Sequence, residues 1–254
     1  MTVTRVSVPT ETTAGDHTNA YLVGDPAVLV DPAEHTDGLD AAVADRDVGH
    51  VVITHAHADH VGAVAGYAAE TGATVWARRG REDRFEAATG LAPDRTFAEG
   101  DRVGDLTVLD TPGHAPDHVA FECDGGIVSG DLAVAAGSVA VAAPEGDVRA
   151  YLVALRRLIA RDPSRLFPGH GPVIDDPRAV LDYLYFHRLD RERLVERAVH
   201  NGADSVDAVV DAAYDRELGA LRDLAAATVR AHLDKLAVEE RVRFDPESGR
   251  VGPA

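Results

Sequence analysis

The 254-residue sequence contains a single cysteine, Cys123, which excludes an intramolecular disulfide and a cysteine-built zinc module. Any bound metal must therefore be held by imidazole and carboxylate groups. Lysine is almost absent: of 25 basic residues only Lys235 is a lysine, against 43 acidic residues and a net charge of −18. Such a surface repels itself at low ionic strength. It suits a halophilic protein in a salt-saturated cytoplasm, where screening over a few Å makes dense carboxylates tolerable, and a GC-rich genome accounts equally for the arginine bias alone. Aromatic residues are scarce at 5%, with Trp76 the one tryptophan, which leaves little for a base-stacking platform. No apolar run approaches the roughly 20 residues a membrane helix needs, so no membrane span is expected. The opening MTVTRVSVPTETTAG lacks the basic start and apolar stretch of a secretory signal, which makes a cytoplasmic location the expectation.

The charge is unevenly spread. Residues 1–179 carry 14 basic and 28 acidic side chains, whereas 180–254 carry 11 and 15. The last quarter is less repulsive to a polyanion without forming a basic patch, so charge gives weak support to nucleic-acid binding.

Apolar periodicity predicts short strands at 18–24 and 27–31, joined at Gly24-Asp25-Pro26, then a helix over 38–46. A buried strand over 48–54 ends in the run His55-Ala56-His57-Ala58-Asp59-His60, followed by one helix over 61–71 that Gly72 stops. Strands are expected at 74–76, 106–110, 119–123, 127–129 and 165–167, with a helix at 148–161. From Arg178 onward the period is helical, with helices at 181–200, 205–214 and 218–237 and a strand at 241–244. The expectation is mixed α/β, divided into domains 1–177 and 178–254.

Three imidazoles and a carboxylate within six residues suit a borderline cation such as zinc. One such cluster could arise by chance. Three more strand ends carry candidates of the same chemistry: His114 in Thr111-Pro112-Gly113-His114, Asp131 in Ser129-Gly130-Asp131, and His170 in Pro168-Gly169-His170-Gly171. Each sits beside a glycine that lets backbone approach closely.

In this ordered set the sequence resembles the metallo-β-lactamase superfamily, over roughly residues 15–175. The resemblance implies an αββα sandwich with the site at one edge. It puts His55, His57 and His114 on one divalent metal ion and Asp59, His60 and His170 on a second, with Asp131 bridging them, and zinc as the expected metal. Two such ions 3.5–4 Å apart share a hydroxide, lower its pKa and stabilise charge at the attacked centre. Asp59 is the expected catalytic residue, orienting that water and taking its proton. Ala56, Ala58 and Gly62-Ala63 depart from residues common in the family, which alters the pocket wall rather than the ligand set. Among the neighbours, His118 reads as a support to a ligand or as an ordinary strand-start hydrogen bond. Thr18 and Asn19 enter a segment similar to the family's TNxYLV. Cys123 reads as core, and His17, His35, His50, His200 and His232 as surface or structural residues.

The tail resembles the winged-helix segment of the β-lactamase-like protein 2 family, through His187-Arg188, Arg191-Glu192 and His232-Leu233-x-Lys235-Leu236. The implied architecture is a sandwich with a small C-terminal winged helix. An endoribonuclease-like activity on single-stranded RNA then becomes one reading, with Arg188, Arg191 and Arg230 as phosphate contacts. A solvated helix face with i to i+4 pairs such as Arg188 with Glu192 is the alternative for the same residues. Against RNA stands hydrolysis of a small-molecule thioester or ester of the hydroxyacylglutathione hydrolase type. A third reading is a non-enzymatic nucleic-acid-binding regulator, which the intact ligand set opposes. A homodimer is the expected assembly.

Overall fold

The computed structural model describes residues 2–10, 17–214 and 217–254. The opening segment read for a leader lies partly outside these. The first sheet has six strands in sequential order: β1 (Val3–Pro9), β2 (His17–Val23), β3 (Ala27–Val30), β4 (Val48–Val52), β5 (Thr74–Arg78) and β6 (Arg95–Phe97). β1 to β3 are antiparallel and β3 to β6 parallel. The second sheet runs β11 (Leu166–Pro168), β10 (Gly126–Gly130), β9 (Val119–Cys123), β8 (Leu106–Asp110) and β7 (Arg102–Val103).

Alternation along the strands explains the layering. Tyr21, Val23, Val28, Val30 and Val52 face Val108, Val119, Phe121 and Val128 in a core between the sheets. Their neighbours Ala20, Leu22, Leu29 and Val51 turn outward onto Leu39 and Val43 of α1 (Asp37–Ala44), Val64 and Tyr67 of α3 (Val64–Thr71), and Phe85 of α4 (Glu82–Thr89). Leu109, Ala120 and Ile127 pack outward on α5 (Val148–Arg161), whose Val148, Tyr151, Leu155 and Leu158 form one buried face. The molecule is the expected αββα sandwich.

Several elements differ from the sequence-based expectation. The helix predicted over 61–71 is broken: α2 (Ala58–Val61) starts inside the histidine run, and α3 begins after Gly62-Ala63. Strand β1 and helix α4 were not anticipated. β1 is an edge strand whose exposed positions dilute its apolar pattern, and α4 buries only Phe85.

Helix α6 (Pro177–His200) starts four residues before the expected Leu181, because Asp176 caps it by accepting from Ala179 N and Pro177 fits the first turn. Its first half packs on α5 through Leu181 and Leu184. Its second half supplies Val195, Ala198 and Val199 to a separate core with α7 (Val206–Ala213), α8 (Arg222–Val238) and Val242. The chain ends in a hairpin of β12 (Val242–Asp245) and β13 (Arg250–Pro253). The solvated face expected around Arg188 and Glu192 is overturned: both are buried, and Glu192 is held by Lys235 and Arg241, each at 2.8 Å.

Candidate metal centre

The two sheets meet at the site. Val119 N donates to Thr54 O across them at 2.8 Å, while Asn19 donates its side-chain amide to Pro168 O and Gly171 O, and Tyr21 its hydroxyl to Pro168 O. Five strand ends therefore converge: β4 delivers His55, His57, Asp59 and His60; the loop after β8 delivers His114; β10 delivers Asp131; β11 delivers His170; and β3 ends at Asp31. All seven residues singled out from the sequence come together here. Three groups have potential ligand atoms within 4.8 Å of one another: His55, His57 and His114; His55, His60 and Asp131; Asp59, His60 and His170. Asp131 faces both halves, 3.6 Å from His114 Nε2, 3.7 Å from His60 Nε2 and 3.4 Å from His170 Nε2.

The proton accounting of the histidines is the informative feature, since each ring's second nitrogen fixes its tautomer. His114 Nδ1 donates to Ala140 O at 2.7 Å, and His170 Nδ1 to His17 O at 2.8 Å. His57 Nε2 donates to Glu145 at 3.1 Å, and His60 Nδ1 to Asp31 Oδ2 at 3.0 Å. Thr54 spends its hydroxyl proton on the same Asp31 oxygen at 2.7 Å, so it must accept from His55 Nδ1 at 3.0 Å. In the neutral rings every inward nitrogen is thereby left as a lone pair. His55 Nε2 and His114 Nε2 each lie 3.0 Å from His57 Nδ1, three lone pairs on one point. His60 Nε2, His170 Nε2 and Asp131 Oδ1 are buried without a hydrogen-bond partner. Buried acceptors facing one another are costly unless a cation sits among them. The donor set fits one or two divalent ions.

The electrostatics carry the same signature. Burial, then the neighbouring imidazoles, drives the His55 pKa well below its ordinary value, and burial lowers His114. For His60 burial also acts downward, but Asp31 and Asp131 outweigh it and hold the ring up at about 9, so that without a metal a proton takes the place of the cation between these carboxylates. Asp131 is lowered despite its burial by His170, His60 and His114.

Residues that sequence reasoning passed over build the support. Asp31 has φ of 51°, a strained value for a non-glycine residue, and its Oδ1 also accepts from Thr54 N at 2.6 Å. Asp117 accepts from Ala56 N and from Arg84, and Arg84 grips Glu145 with two bonds of 2.7 Å. Those bonds hold the Glu145 carboxyl down at about 2. The histidine loop is thus clamped from Ala56 to His57. Asp117 lies next to His118 in sequence, the one signal that could have led to it. His118 accepts from Asp131 N at 3.1 Å, with its Nδ1 donating to Thr111, and burial lowers its pKa to about 3. Its place is behind Asp131. Gly169 is required sterically, as a Cβ there would stand 2.8 Å from His60 Cε1 and against Asp131 Oδ1.

A cleft of ≈ 650 Å³ opens over the centre, with His57, Asp59, His114 and His170 on its floor. Its walls are mostly small and apolar, with Val134 to Ala136, Val139, Pro172 and Leu224, and no Arg or Lys among the described residues lines it.

Residues 13–170 match the Metallo-beta-lactamase superfamily. The Beta-lactamase-like protein 2 homolog of Drosophila melanogaster is 30% identical over 89% of this chain and 84% of its own. Thioesterase pkgB of Emericella nidulans is 30% identical over 70% of this chain and 53% of its own. A metallo-beta-lactamase family protein of Thermus thermophilus superposes with a TM-score of 0.79 at 22% identity, covering 99% of this chain and 98% of that one, tail included.

Proposed function

Because the chain belongs to the metallo-beta-lactamase superfamily of metal-dependent hydrolases, we propose that it hydrolyses a small ester or thioester. In this reading His55, His57 and His114 would hold one divalent ion, Asp59, His60 and His170 would hold a second, and Asp131 would serve both. Zinc is the expected metal for a set of imidazoles and carboxylates. The observation that carries the proposal is the set of five imidazoles whose lone pairs are forced inward by their outer hydrogen bonds. When bound, the ions would supply Lewis acidity and a water of lowered pKa.

The chain's own residues do the rest. Asp59 stands at the cleft floor, 3.4 Å from His170 Nε2, where its carboxylate orients the attacking water and accepts its proton. Asp31, Thr54, Glu145 and the backbone carbonyls of His17 and Ala140 keep the rings in one tautomer, so no ligand must reorganise. The apolar walls exclude bulk water and take an acyl chain.

Cleavage of single-stranded RNA is the second reading, favoured by the order of three helices and a hairpin in the tail. It has weaker support in the side chains, since none of the three arginines is exposed and a long strand finds no basic track along them. Arg188 is buried and bonds to Ser138 and Val139 O, Arg191 lies 4.3 Å over Tyr214 while donating to Ala213 O, and Arg230 donates to Pro246 O. A regulator without catalysis would have no use for the intact donor set. The division at residue 177 into catalytic unit and tail belongs to the same proposal, as do a homodimeric assembly, a cytoplasmic location and a high-salt habitat; no helix among the described residues is long and apolar enough to cross a membrane.

The test is to purify the protein in concentrated KCl, measure its metal content, and assay simple thioesters, esters and single-stranded RNA with Asp59→Ala as control. Turnover of a thioester that Asp59→Ala loses supports the proposal. Wild type and Asp59→Ala equally inactive on esters and thioesters while metal-loaded would overturn it.

A further inference from the structure

Five charged side chains are buried among the described residues apart from the histidines: Asp31, Asp117, Asp131, Arg188 and Glu192. Four have an opposite charge or imidazole against them: Asp31 and Asp131 face His60, Asp117 faces Arg84, and Glu192 faces Lys235 and Arg241. Arg188 has none. Its Nη2 donates to Ser138 Oγ at 2.7 Å and to Val139 O, its guanidinium lies 5.4 Å over the Tyr151 ring, and its Nε is without a partner. One turn further along α6, Arg191 likewise pairs with no carboxylate among the described residues, only with Ala213 O and the face of Tyr214. In a chain of net charge −18, two neighbouring arginines with no counter-ion among the described residues, one of them buried, are an energetic anomaly.

Both arginines line a groove of ≈ 610 Å³, together with His187 and the exposed apolar side chains Tyr183, Leu221 and Leu224. The groove shares Gly137 to Ala140 and Leu224 with the cleft above the metal centre. That shared loop is fastened from both sides, by Arg188 at Ser138 and Val139 and by His114 at Ala140. A molecule seated over the centre therefore has a continuous path past the loop to these two arginines.

We propose that this groove is a subsite for an anionic group, a carboxylate or phosphate, carried by the small substrate away from its scissile carbonyl, with Arg188 and Arg191 as its counter-ions. The inference rests on the ester-hydrolase reading above. A cleft with neutral walls accepts the acyl centre, and the adjoining groove selects among such esters by charge. Arginine is suited to this because its planar fork meets a carboxylate or phosphate with two bonds.

The test uses the metal-loaded, full-length protein and thioesters bearing a carboxylate on the acyl or the thiol side, each paired with its carboxamide. Turnover gives kcat/KM, and calorimetry on the same compounds gives binding, so the subsite is judged even where no ester is cleaved. Wild type is expected to prefer at least one carboxylate compound over its amide by about tenfold or more, about 1.4 kcal/mol. In Arg191→Gln that ratio falls to within about twofold, while Arg230→Gln, on α8 against the hairpin, retains it. Arg188→Gln also unties the shared loop, so Arg191→Gln decides. Equal binding of every acid and amide by wild type, or a preference untouched in Arg191→Gln, overturns the subsite. Binding of oligoribonucleotides alone, with all thioesters ignored, overturns it in favour of a polyanion track.

Discussion

Asp31→Asn is expected to damage both halves of the metal centre although Asp31 is not among the proposed ligands. Asparagine tolerates the left-handed backbone that Asp31 adopts at φ 51°, so the fold should accept it. The amide must keep its oxygen toward Thr54 N, now 2.6 Å from Oδ1, which puts NH2 where Oδ2 stands. That NH2 faces Thr54 Oγ1 and His60 Nδ1, at 2.7 and 3.0 Å from the present oxygen. Thr54 then accepts instead of donating and turns its proton onto His55 Nδ1, forcing the His55 proton to Nε2. His60 must likewise carry its proton on Nε2. One atom replaced thus aims two N–H groups into the centre, one in each half-site.

Metal binding could restore the tautomers only by flipping the amide, which sets NH2 against Thr54 N–H and leaves a buried donor unpaired, at about 1–3 kcal/mol. This agrees with the roughly 10–100-fold loss of metal affinity typical when such outer partners are changed. The assay is zinc titration of the stripped protein against a chromophoric chelator, with thermal unfolding in chelator as a fold control. Thr54→Val, which removes the acceptor of His55 alone, should weaken only the three-histidine half-site. If Asp31→Asn binds both ions within about twofold of wild type while folded, the tautomer argument is wrong.

Three further outcomes are expected. Gly169→Ala should bring metal content below one ion per chain, because the added methyl stands against His60 and Asp131 Oδ1, and two retained ions measured by elemental analysis would refute the packing argument. In the stripped protein, stability should peak near pH 6.5. His118 and His232 have folded pKa values of about 3, below the ordinary 6.5, so their contribution is present above 6.5 and is lost as pH falls toward 3, at up to about 1.4 kcal/mol per unit each. His60, raised to about 9, contributes fully below 6.5 and loses that contribution as pH climbs to 9. Denaturant titrations across pH check this: zinc should remove the alkaline limb, and His232→Leu, deleting a buried ring with both nitrogens unpartnered, should shallow the acid limb without loss of stability at pH 7. Finally, with −18 charges to screen, the unfolding midpoint should rise between about 0.1 and about 1 M KCl, where the Debye length shrinks from ~10 to ~3 Å. A flat response would remove the high-salt reading.

What the sequence could and could not reveal follows from how each residue acts. His55, His57, Asp59 and His60 announce themselves because a strand end places them within six positions, and His114, Asp131 and His170 because each follows a strand and adjoins glycine. The strands are legible for the same reason the sandwich forms: in 20–23 and 27–30 alternate residues feed two different cores. Edge strand β1 and helix α4 bury too few side chains to leave such a pattern. Glu145, 88 positions from His57, meets it directly, and Arg84, 27 positions away on α4, reaches it only through Glu145; pairings of that kind leave no periodic trace.

Arg188 shows the same limit from the other direction. An arginine at i and a glutamate at i+4 on a long helix is the pattern of a solvated pair. Here Glu192 instead meets Lys235 and Arg241 from α8 and the hairpin approach, and Arg188 turns to the loop that His114 fastens from the opposite side. Helix α6 belongs to both cores, so the tail cannot shift without moving Arg188, the 138–140 loop and, through Ala140, the ring of His114. The C-terminal helices are therefore mechanically part of the metal centre. Loosening α8 against α6, as with Leu236→Ala, should lower metal affinity as well as stability. A variant of that kind that unfolds more readily yet binds zinc as tightly as wild type would break this link.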